Sequence, residues 1–212
     1  MLCDAHTHRT GETGYPMICG LLAPEERGNG LFSLGVHPMY GKDETLPESY
    51  IECMERADCC AIGECGYDRR SPLSFAQQQA LFSAHIRVAE RLGKPVIIHA
   101  VRSQPELLKL HRDFPGHTPW IIHGCRGREN KLLELADAGF YLSFGEGLLR
   151  DAGILEEFFH KLPGDRLLLE TDDSPLNLEA VYAAAAAMRG QSLPEFQECI
   201  FANFKRVFCY EQ

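Results

Sequence analysis

The sequence predicts an α/β fold of the TIM-barrel type, (β/α)8, with eight parallel strands and helices between them. Short apolar runs alternate with longer amphipathic stretches along the chain, and this alternation is typical of βα units that build a parallel sheet. No Ser-, Gly- or Pro-rich linker separates two halves, so the 212 residues are interpreted as one domain, 1–212. The predicted strands are 2–7, 16–19, 31–36, 59–65, 95–100, 120–123, 140–144 and 166–171.

Helix starts are marked by serines that are followed three residues later by Gln or Glu, the capping-box pattern. Ser74 and Gln77 precede a stretch whose apolar residues fall on one stripe, and Gly93 is expected to end that helix. The same start pattern recurs at 103–106 and 192–195. We therefore expect helices to begin at these three places.

The segment between the first and third strands is too rich in glycine for a regular helix. Glycines stand at positions 11, 14, 20, 28 and 30, and each interrupts a helical pattern. The early helices of the barrel are therefore expected to be shortened or missing.

The overall charge argues against binding of nucleic acid through an extended basic surface. The formal net charge is -9 and the pI is near 5.5, whereas phosphate binding draws on clustered Lys and Arg. Any nucleic-acid contact is expected to be local. The N-terminus has no cationic stretch ahead of an apolar run, and no segment reaches the ~20 apolar residues of a membrane span, so a cytoplasmic protein is expected.

Several of the predicted apolar strands end in a polar residue. His6 and His8 are two apart at the end of the first strand and therefore point to the same side. The carboxyl ends of barrel strands share one face, where catalytic groups lie, so the strand-end residues are expected to meet there. The other members of this set are Glu64, His99, His123 and Asp172.

A cluster of four imidazoles and two carboxylates points to a metal centre. Packed together, such groups are costly without a compensating positive charge, because like carboxylates repel and buried polar groups need partners. Imidazole and carboxylate suit divalent transition metals, and a carboxylate can bridge two ions in hydrolytic sites. We expect two divalent cations, with Zn, Mn and Mg as candidates.

Seven short motifs stand at 6–8, 35–38, 63–68, 95–99, 123–127, 170–175 and 203–208. With these motifs in this order, the chain resembles the TatD-type metal-dependent deoxyribonucleases, a branch of the amidohydrolase superfamily. The resemblance extends along nearly the whole chain, and the motifs are specific as a set although each one is short.

The resemblance implies a role for each strand-end residue. His6, His8 and Asp172 would hold one cation, His99 and His123 the other, and Glu64 would bridge them. Asp172 would also orient or deprotonate the attacking water, so Asp172 and Glu64 are the catalytic candidates.

Three residues are candidates for substrate binding. The resemblance implies that His37 lines the site and contacts substrate phosphate. The family usually places Arg two residues after the fifth-strand histidine, but Val101 stands there and Arg102 follows, so that contact is shifted or lost. Arg126 belongs to a basic rim close to the motifs, which offers a local anion site or only a solvated surface. The whole rim is Arg9, Arg69, Arg70, Arg102, Arg126 and Arg128.

The preferred function is cleavage of phosphodiester bonds in DNA by a metal-activated water, with the substrate held locally at the barrel mouth. No membrane and no obligate protein partner are implied. A small-molecule or aminoacyl-ester hydrolase on the same two-metal site is the alternative, favoured by the acidic charge and the shortened loops. A non-catalytic metal-binding scaffold is the third possibility, which the complete ligand set disfavours.

Overall fold

The computed structural model describes residues 1–11, 13–26, 28–116, 118–150 and 152–211. Its strands form one eight-stranded sheet in sequence order, as in a TIM barrel, so the predicted fold class is confirmed. The strands are β1 (Asp4–Thr7), β2 (Met17–Leu21), β3 (Phe32–Leu34), β4 (Cys59–Asp68), β5 (Val96–Val101), β6 (Trp120–Ile122), β7 (Tyr141–Phe144) and β8 (Leu167–Leu169). The helices are α1 (Glu48–Met54), α2 (Phe75–Leu92), α3 (Gln104–Asp113), α4 (Glu129–Asp137), α5 (Gly147–Arg150), α6 (Ala152–Leu155), α7 (Leu178–Arg189) and α8 (Leu193–Phe208).

Two compact units make up the chain. The terminal unit comprises Met1–Ile18 and Ile122–Gln212, and it contains β1, β7, β8 and α4 to α8. The central unit comprises Cys19–Ile121, and it contains β3 to β5 and α1 to α3. The interpretation of 1–212 as one domain stays a prediction.

The central unit is built on β4, which pairs in parallel with β3 and β5. The register between β4 and β5 shifts between Ile62 and Cys65, where the backbone of Gly63 has a φ of 140°. A Cβ on Gly63 would collide with the carbonyl oxygen of Ile97, so only glycine lets the two strands approach here. The shift sets the direction of the next residue, Glu64.

The terminal unit joins the end of the chain to its beginning. In β8, Leu168 pairs with Ser143 of β7, and Asp172 just beyond β8 pairs with Thr7 of β1. Asn203 of α8 donates from its amide to the carbonyl of Leu167 at 2.8 Å, which ties the last helix to the start of β8. This bond gives a structural reason for the motif at 203–208.

The capping boxes are confirmed for α2 and α8. In α2 the Ser74 hydroxyl accepts from the backbone N–H of Gln77, and Gly93 ends the helix at a φ of 64°. At α3 the predicted box is wrong, although the helix begins where expected. The side chain of Ser103 makes no cap bond, and its backbone, at a ψ of 19°, lacks the extended conformation of a cap, while the side chain of Glu106 pairs with the guanidinium of Arg69.

The early helices are reduced, as the glycines predict. Among the described residues between Thr7 and Phe32, helical structure is confined to the 3-10 turn Pro24–Glu26. The first regular helix, α1, follows β3. No helix in the described ranges is long and apolar enough to cross a membrane.

All nine cysteines lie in the described part of the chain, and none of them forms a disulfide there. Burial raises the pKa of Cys3 and of Cys59 to about 12, so these thiols stay protonated at neutral pH. Because the thiolate is the reactive form, these two cysteines act as core residues.

Candidate metal centre

In the terminal unit, the ends of β1 and β8 bring His6, His8 and Asp172 together. The backbone N–H of Asp172 donates to the carbonyl of His6 at 2.9 Å, and the N–H of His8 donates to the carbonyl of Asp172 at 3.3 Å. The side chains follow, with Asp172 Oδ1 lying 3.8 Å from His6 Nε2 and 3.7 Å from His8 Nε2. His6 is buried, whereas 37% of the Asp172 side chain is exposed.

His123 joins this group from the end of β6. Its ring centroid lies 4.7 Å from that of His6, and one ligand atom each from His6, His123 and Asp172 lie within 4.8 Å of one another. The pairing of His123 with His99 on a second cation, which the family resemblance implies, stays a prediction.

Glu170, for which no role was predicted from the sequence, lies next to the His123 ring. Its Oε1 lies 3.8 Å from His123 Nδ1 and accepts the backbone N–H of Gly124 at 2.6 Å. Full burial raises the pKa of Glu170 to about 7, against the lowering effect of His123. The signal in the sequence was its position two residues before Asp172 in an otherwise apolar strand.

Asp4 ties β1 to the segment after β8. The Asp4 carboxylate accepts from the Thr171 hydroxyl at 2.6 Å and from the Thr171 backbone N–H at 3.1 Å. Burial raises the pKa of Asp4 to about 6, although these hydrogen bonds lower it. The bonds fix the backbone one residue before Asp172.

In the central unit, Glu64 at the middle of β4 faces His99 of β5 and His37 of the loop after β3. Glu64 Oε1 lies 3.0 Å from His99 Nδ1 and 3.3 Å from His37 Nε2. Ligand atoms of the three side chains lie within 4.8 Å of one another.

The hydrogen bonding of His37 indicates which of its ring nitrogens carries the proton. Its Nδ1 accepts the backbone N–H of Met39 at 3.1 Å, so in the neutral ring the proton is on Nε2. This nitrogen lies 3.3 Å from Glu64 Oε1. His37 is therefore a hydrogen-bond donor in the site, which is consistent with its predicted contact to substrate phosphate.

Asp68, which lies in the motif at 63–68 but was not predicted to have a role, contacts His99 from the side of the ring opposite Glu64. It is fully buried at the end of β4, and its Oδ2 lies 2.8 Å from His99 Nε2. Arg70 pairs with both oxygens of the same carboxylate. Burial raises the pKa of Asp68, but the bonds to Arg70 and His99 outweigh it and hold the pKa well below its usual range. Because residues four apart on a strand share one side, the spacing from Glu64 could have identified Asp68.

The His99 ring faces a carboxylate at each nitrogen, and this arrangement fits a cation. A neutral imidazole carries one N–H, so it can donate to only one of the two carboxylates. If Asp68 accepts that proton at Nε2, the Nδ1 lone pair faces the anionic Glu64. A cation between Nδ1 and Glu64 would relieve this repulsion, and imidazole with carboxylate is a donor set that divalent metals prefer.

The candidate arginines differ in their surroundings. Arg126 lines a cavity of about 250 Å3 together with Asp172 and pairs with Glu146 at 3.7 Å. Arg102 is exposed and has a φ of 54°, and its carbonyl accepts from Arg69 at 2.7 Å. Three other rim arginines bind protein groups through their guanidinium groups. Arg9 donates to the carbonyls of Ser174 and Leu176, Arg69 pairs with Glu106, and Arg70 pairs with Asp68.

Among the histidines outside the motifs, His85 packs in the interior of the protein. It lies on α2 but is fully buried, and its Nε2 accepts the backbone N–H of Val36 at 2.9 Å, next to His37. His111 packs on Trp120, His160 lies in a 3-10 turn, and His117 lies outside the described residues.

The sequence profile of the family described as TatD related DNase matches residues 20–209. The chain belongs to the TatD family of metal-dependent hydrolases. An Escherichia coli K12 protein of this family, named uncharacterized metal-dependent hydrolase YcfH, is 30% identical over 199 residues, which cover 86% of this chain and 75% of that protein. A Klebsiella pneumoniae protein named 3'-5' ssDNA/RNA exonuclease TatD is 27% identical over 197 residues, with 82% and 75% covered.

Solved structures of TatD proteins have the same fold. The E. coli TatD homologue YJJV superposes with a TM-score of 0.78 at 22% identity, covering 99% of this chain and 98% of that one. A hydrolase of the TatD family from Entamoeba histolytica gives 0.77 at 14% identity, with 97% of each chain covered. At these identities the likeness establishes the fold alone.

Proposed function

We infer that this TatD protein is a two-metal hydrolase that cleaves phosphodiester bonds of DNA. The observation that carries the proposal is the gathering of imidazole and carboxylate ligand atoms within 4.8 Å of one another in each unit. The proposed ligands of the two divalent cations are His6, His8, Glu64, His99, His123 and Asp172.

The cations would lower the pKa of an attacking water and stabilise the charge that builds on a phosphoryl oxygen. Asp172 would take the proton of that water as its oxygen bonds to phosphorus and the ester oxygen leaves. This role is supported by the exposure of Asp172, the most accessible carboxylate of the group, since a base must reach the water that it deprotonates.

His37 and the arginines would hold the substrate. The His37 Nε2–H can donate to a non-bridging phosphoryl oxygen, because Met39 already occupies Nδ1. Arg126 and Arg102 would attract the phosphodiester locally, as the net charge of -9 requires. The exonuclease name of the Klebsiella relative supports a nucleic-acid substrate.

A small-molecule or aminoacyl ester is the second candidate substrate class. It is favoured by the 3-10 turn Pro24–Glu26, which is all the helical structure described before β3, because short connections leave the mouth open to compact substrates. The same water activation would attack an ester or amide carbonyl.

One assay separates these substrate classes. Purified protein is stripped with chelator, reloaded with Mg2+, Mn2+, Zn2+ or Co2+, and supplied with single-stranded DNA, double-stranded DNA, carboxyl esters and amides side by side. We expect metal-dependent hydrolysis of DNA that the Asp172→Asn variant, prepared identically, does not show. Hydrolysis of esters without DNA cleavage would select the second candidate, and a metal-loaded protein inactive on every class would contradict catalysis.

A further inference from the structure

A cavity of about 250 Å3 opens beside Asp172 in the terminal unit. Its lining comes from the segments that follow three strands: 124–126 after β6, 145–150 after β7 and 170–175 at the end of β8. Sites for drug-sized ligands measure about 300–1,000 Å3, so this cavity suits one small group of a larger molecule.

The cavity adjoins the proposed ligand cluster but does not coincide with it. Asp172 belongs to both, whereas His6 and His123 are absent from the described residues that line the cavity. A group bound in the cavity would therefore lie next to the ester that is cleaved, and would not itself be the group under attack.

Two guanidinium groups and one carboxylate lie at this cavity. Arg150 Nη2 is 2.7 Å from Glu146 Oε1, and Arg126 Nη2 is 3.7 Å from Glu146 Oε2. The carboxylate thus spans the two arginines, in the way that an oxyanion with two free oxygens would. The three side chains carry a net charge of +1, which leaves them attractive to an anion.

The arginines are placed by glycine and remain accessible. A Cβ on Gly147 would lie 3.3 Å from Arg126 Cγ, so the glycine leaves room for the Arg126 stem. Both arginine side chains are more than half exposed, at 54% and 66%, whereas Glu146 is 17% exposed. Ion pairs with such exposed partners contribute little to stability, so exchange of Glu146 for another anion costs little.

We propose that Arg126 and Arg150 bind a second oxyanion of the substrate, adjacent to the scissile ester, by displacing Glu146. Arginine forks match phosphate and carboxylate oxygens with paired charge-assisted hydrogen bonds. The inference rests on the proposed function, because it takes Asp172 as the catalytic carboxylate. It makes the substrate class an ester that carries a neighbouring phosphate or carboxylate.

The acidic residues of the lining make anion binding depend on bound metal. Glu170, Asp172 and Asp173 also face the cavity, so without cations the lining as a whole is negative. The anion is therefore expected to bind the metal-loaded protein more tightly than the stripped protein.

The first experiment measures binding without turnover. Inorganic phosphate and, separately, acetate are titrated calorimetrically into Mn2+-loaded protein and into its Arg126→Gln, Arg150→Gln and Glu146→Gln variants. Loss of one charged hydrogen bond predicts an affinity about 10- to 100-fold weaker in each arginine variant. The Glu146→Gln variant should bind more tightly than the parent, because the internal competitor has lost its charge.

Arg128→Gln is the matched control, since Arg128 is exposed in the same loop but does not line the cavity. Binding of either anion with this variant pattern supports the subsite and identifies its preferred source. Unchanged affinity in both arginine variants, or an equal loss in Arg128→Gln, would overturn it.

The second experiment compares a thymidine dinucleotide with and without a terminal phosphate as substrates. The parent should prefer the phosphorylated form through a lower KM, and the arginine variants should lose that preference. If no ester is hydrolysed but the binding pattern holds, the proposed function fails and the anion subsite stands. If hydrolysis is normal and the arginine variants keep the preference, the subsite fails and the function stands.

Discussion

Asp68 Oδ2 lies 2.8 Å from His99 Nε2, so a fully buried carboxylate orients a proposed metal ligand from the side away from Glu64. Partners of this kind fix the tautomer and direction of a ligating imidazole, and their loss typically costs about 10–100-fold in metal affinity. We expect Asp68→Asn to weaken Mn2+ affinity by that order, measured by competition with a chelating dye. Asp113→Asn, at the exposed end of α3, is the control. Unchanged affinity in a folded Asp68→Asn protein would remove the positioning role.

Glu64→Gln is expected to reduce the amount of metal that the purified protein retains. The change keeps the shape of the side chain but removes the negative charge that faces His99 and His37. Metal content per chain, measured by elemental analysis after dialysis, should fall below that of the parent. Glu52→Gln on the exposed face of α1 should retain parent levels. Full retention by Glu64→Gln would argue that Glu64 is not a ligand.

Asp172→Asn is expected to lower the turnover number by about 10²–10⁴, the usual contribution of a positioned general base. Asp172 has a φ of 52°, a left-handed conformation that Asn tolerates well, so the backbone should be kept. The measurement is kcat in excess metal, with a melting curve to establish folding.

Asp137→Asn, at the exposed end of α4, should keep the parent kcat. A folded, metal-loaded Asp172→Asn protein that turns over at close to the parent rate would require another base.

His85 is expected to make stability fall with acidification. Burial lowers the pKa of His85 to about 4 from its usual 6.5, although its bond to the Leu81 carbonyl raises it. Below pH 6.5 the unfolded chain takes up the proton and the folded chain does not, so stability is lost until about pH 4. At about 1.4 kcal/mol per pKa unit, the loss is about 3 kcal/mol.

The check is the free energy of unfolding in urea at pH 7 and pH 4.5, with chelator present. Glutamine can still accept the Val36 N–H, so His85→Gln should resemble the parent at pH 7 and lose less stability on acidification. Equal pH dependence in both proteins would assign the effect to other groups.

The fold could be predicted from the sequence because it depends on local pattern, and the same pattern supplied the candidate site residues. Strand ends can be identified from where an apolar run stops, and in a parallel barrel that position alone determines the face on which a residue lies. The positions of His6 and Asp172 could be predicted in this way, but β4 continues past Glu64 to Asp68, so the predicted strand end at Glu64 was wrong.

What could not be predicted depends on contacts between side chains that are distant in the sequence. The amphipathic stripe of α2 places His85 on the helix, but only the packed structure shows that its Nε2 meets the Val36 N–H. Likewise, the capping pattern at Ser103 is locally valid, but the Ser103 backbone is not extended and Arg69, distant in the sequence, binds the side chain of Glu106. The partner of Arg126 was also hidden, since Glu146 follows a different strand.

The two hydrogen bonds between Asp172 and the backbone on either side of Thr7 have a consequence for how this chain can evolve. They make the spacing of His6, His8 and Asp172 a property of strand register, and a slip of one residue would turn every side chain of a strand to the opposite face. A single insertion or deletion within β1 or β8 should therefore abolish the centre. The connection from His8 to β2 contributes none of these three side chains, so a change in its length should be tolerated better than a change within either strand.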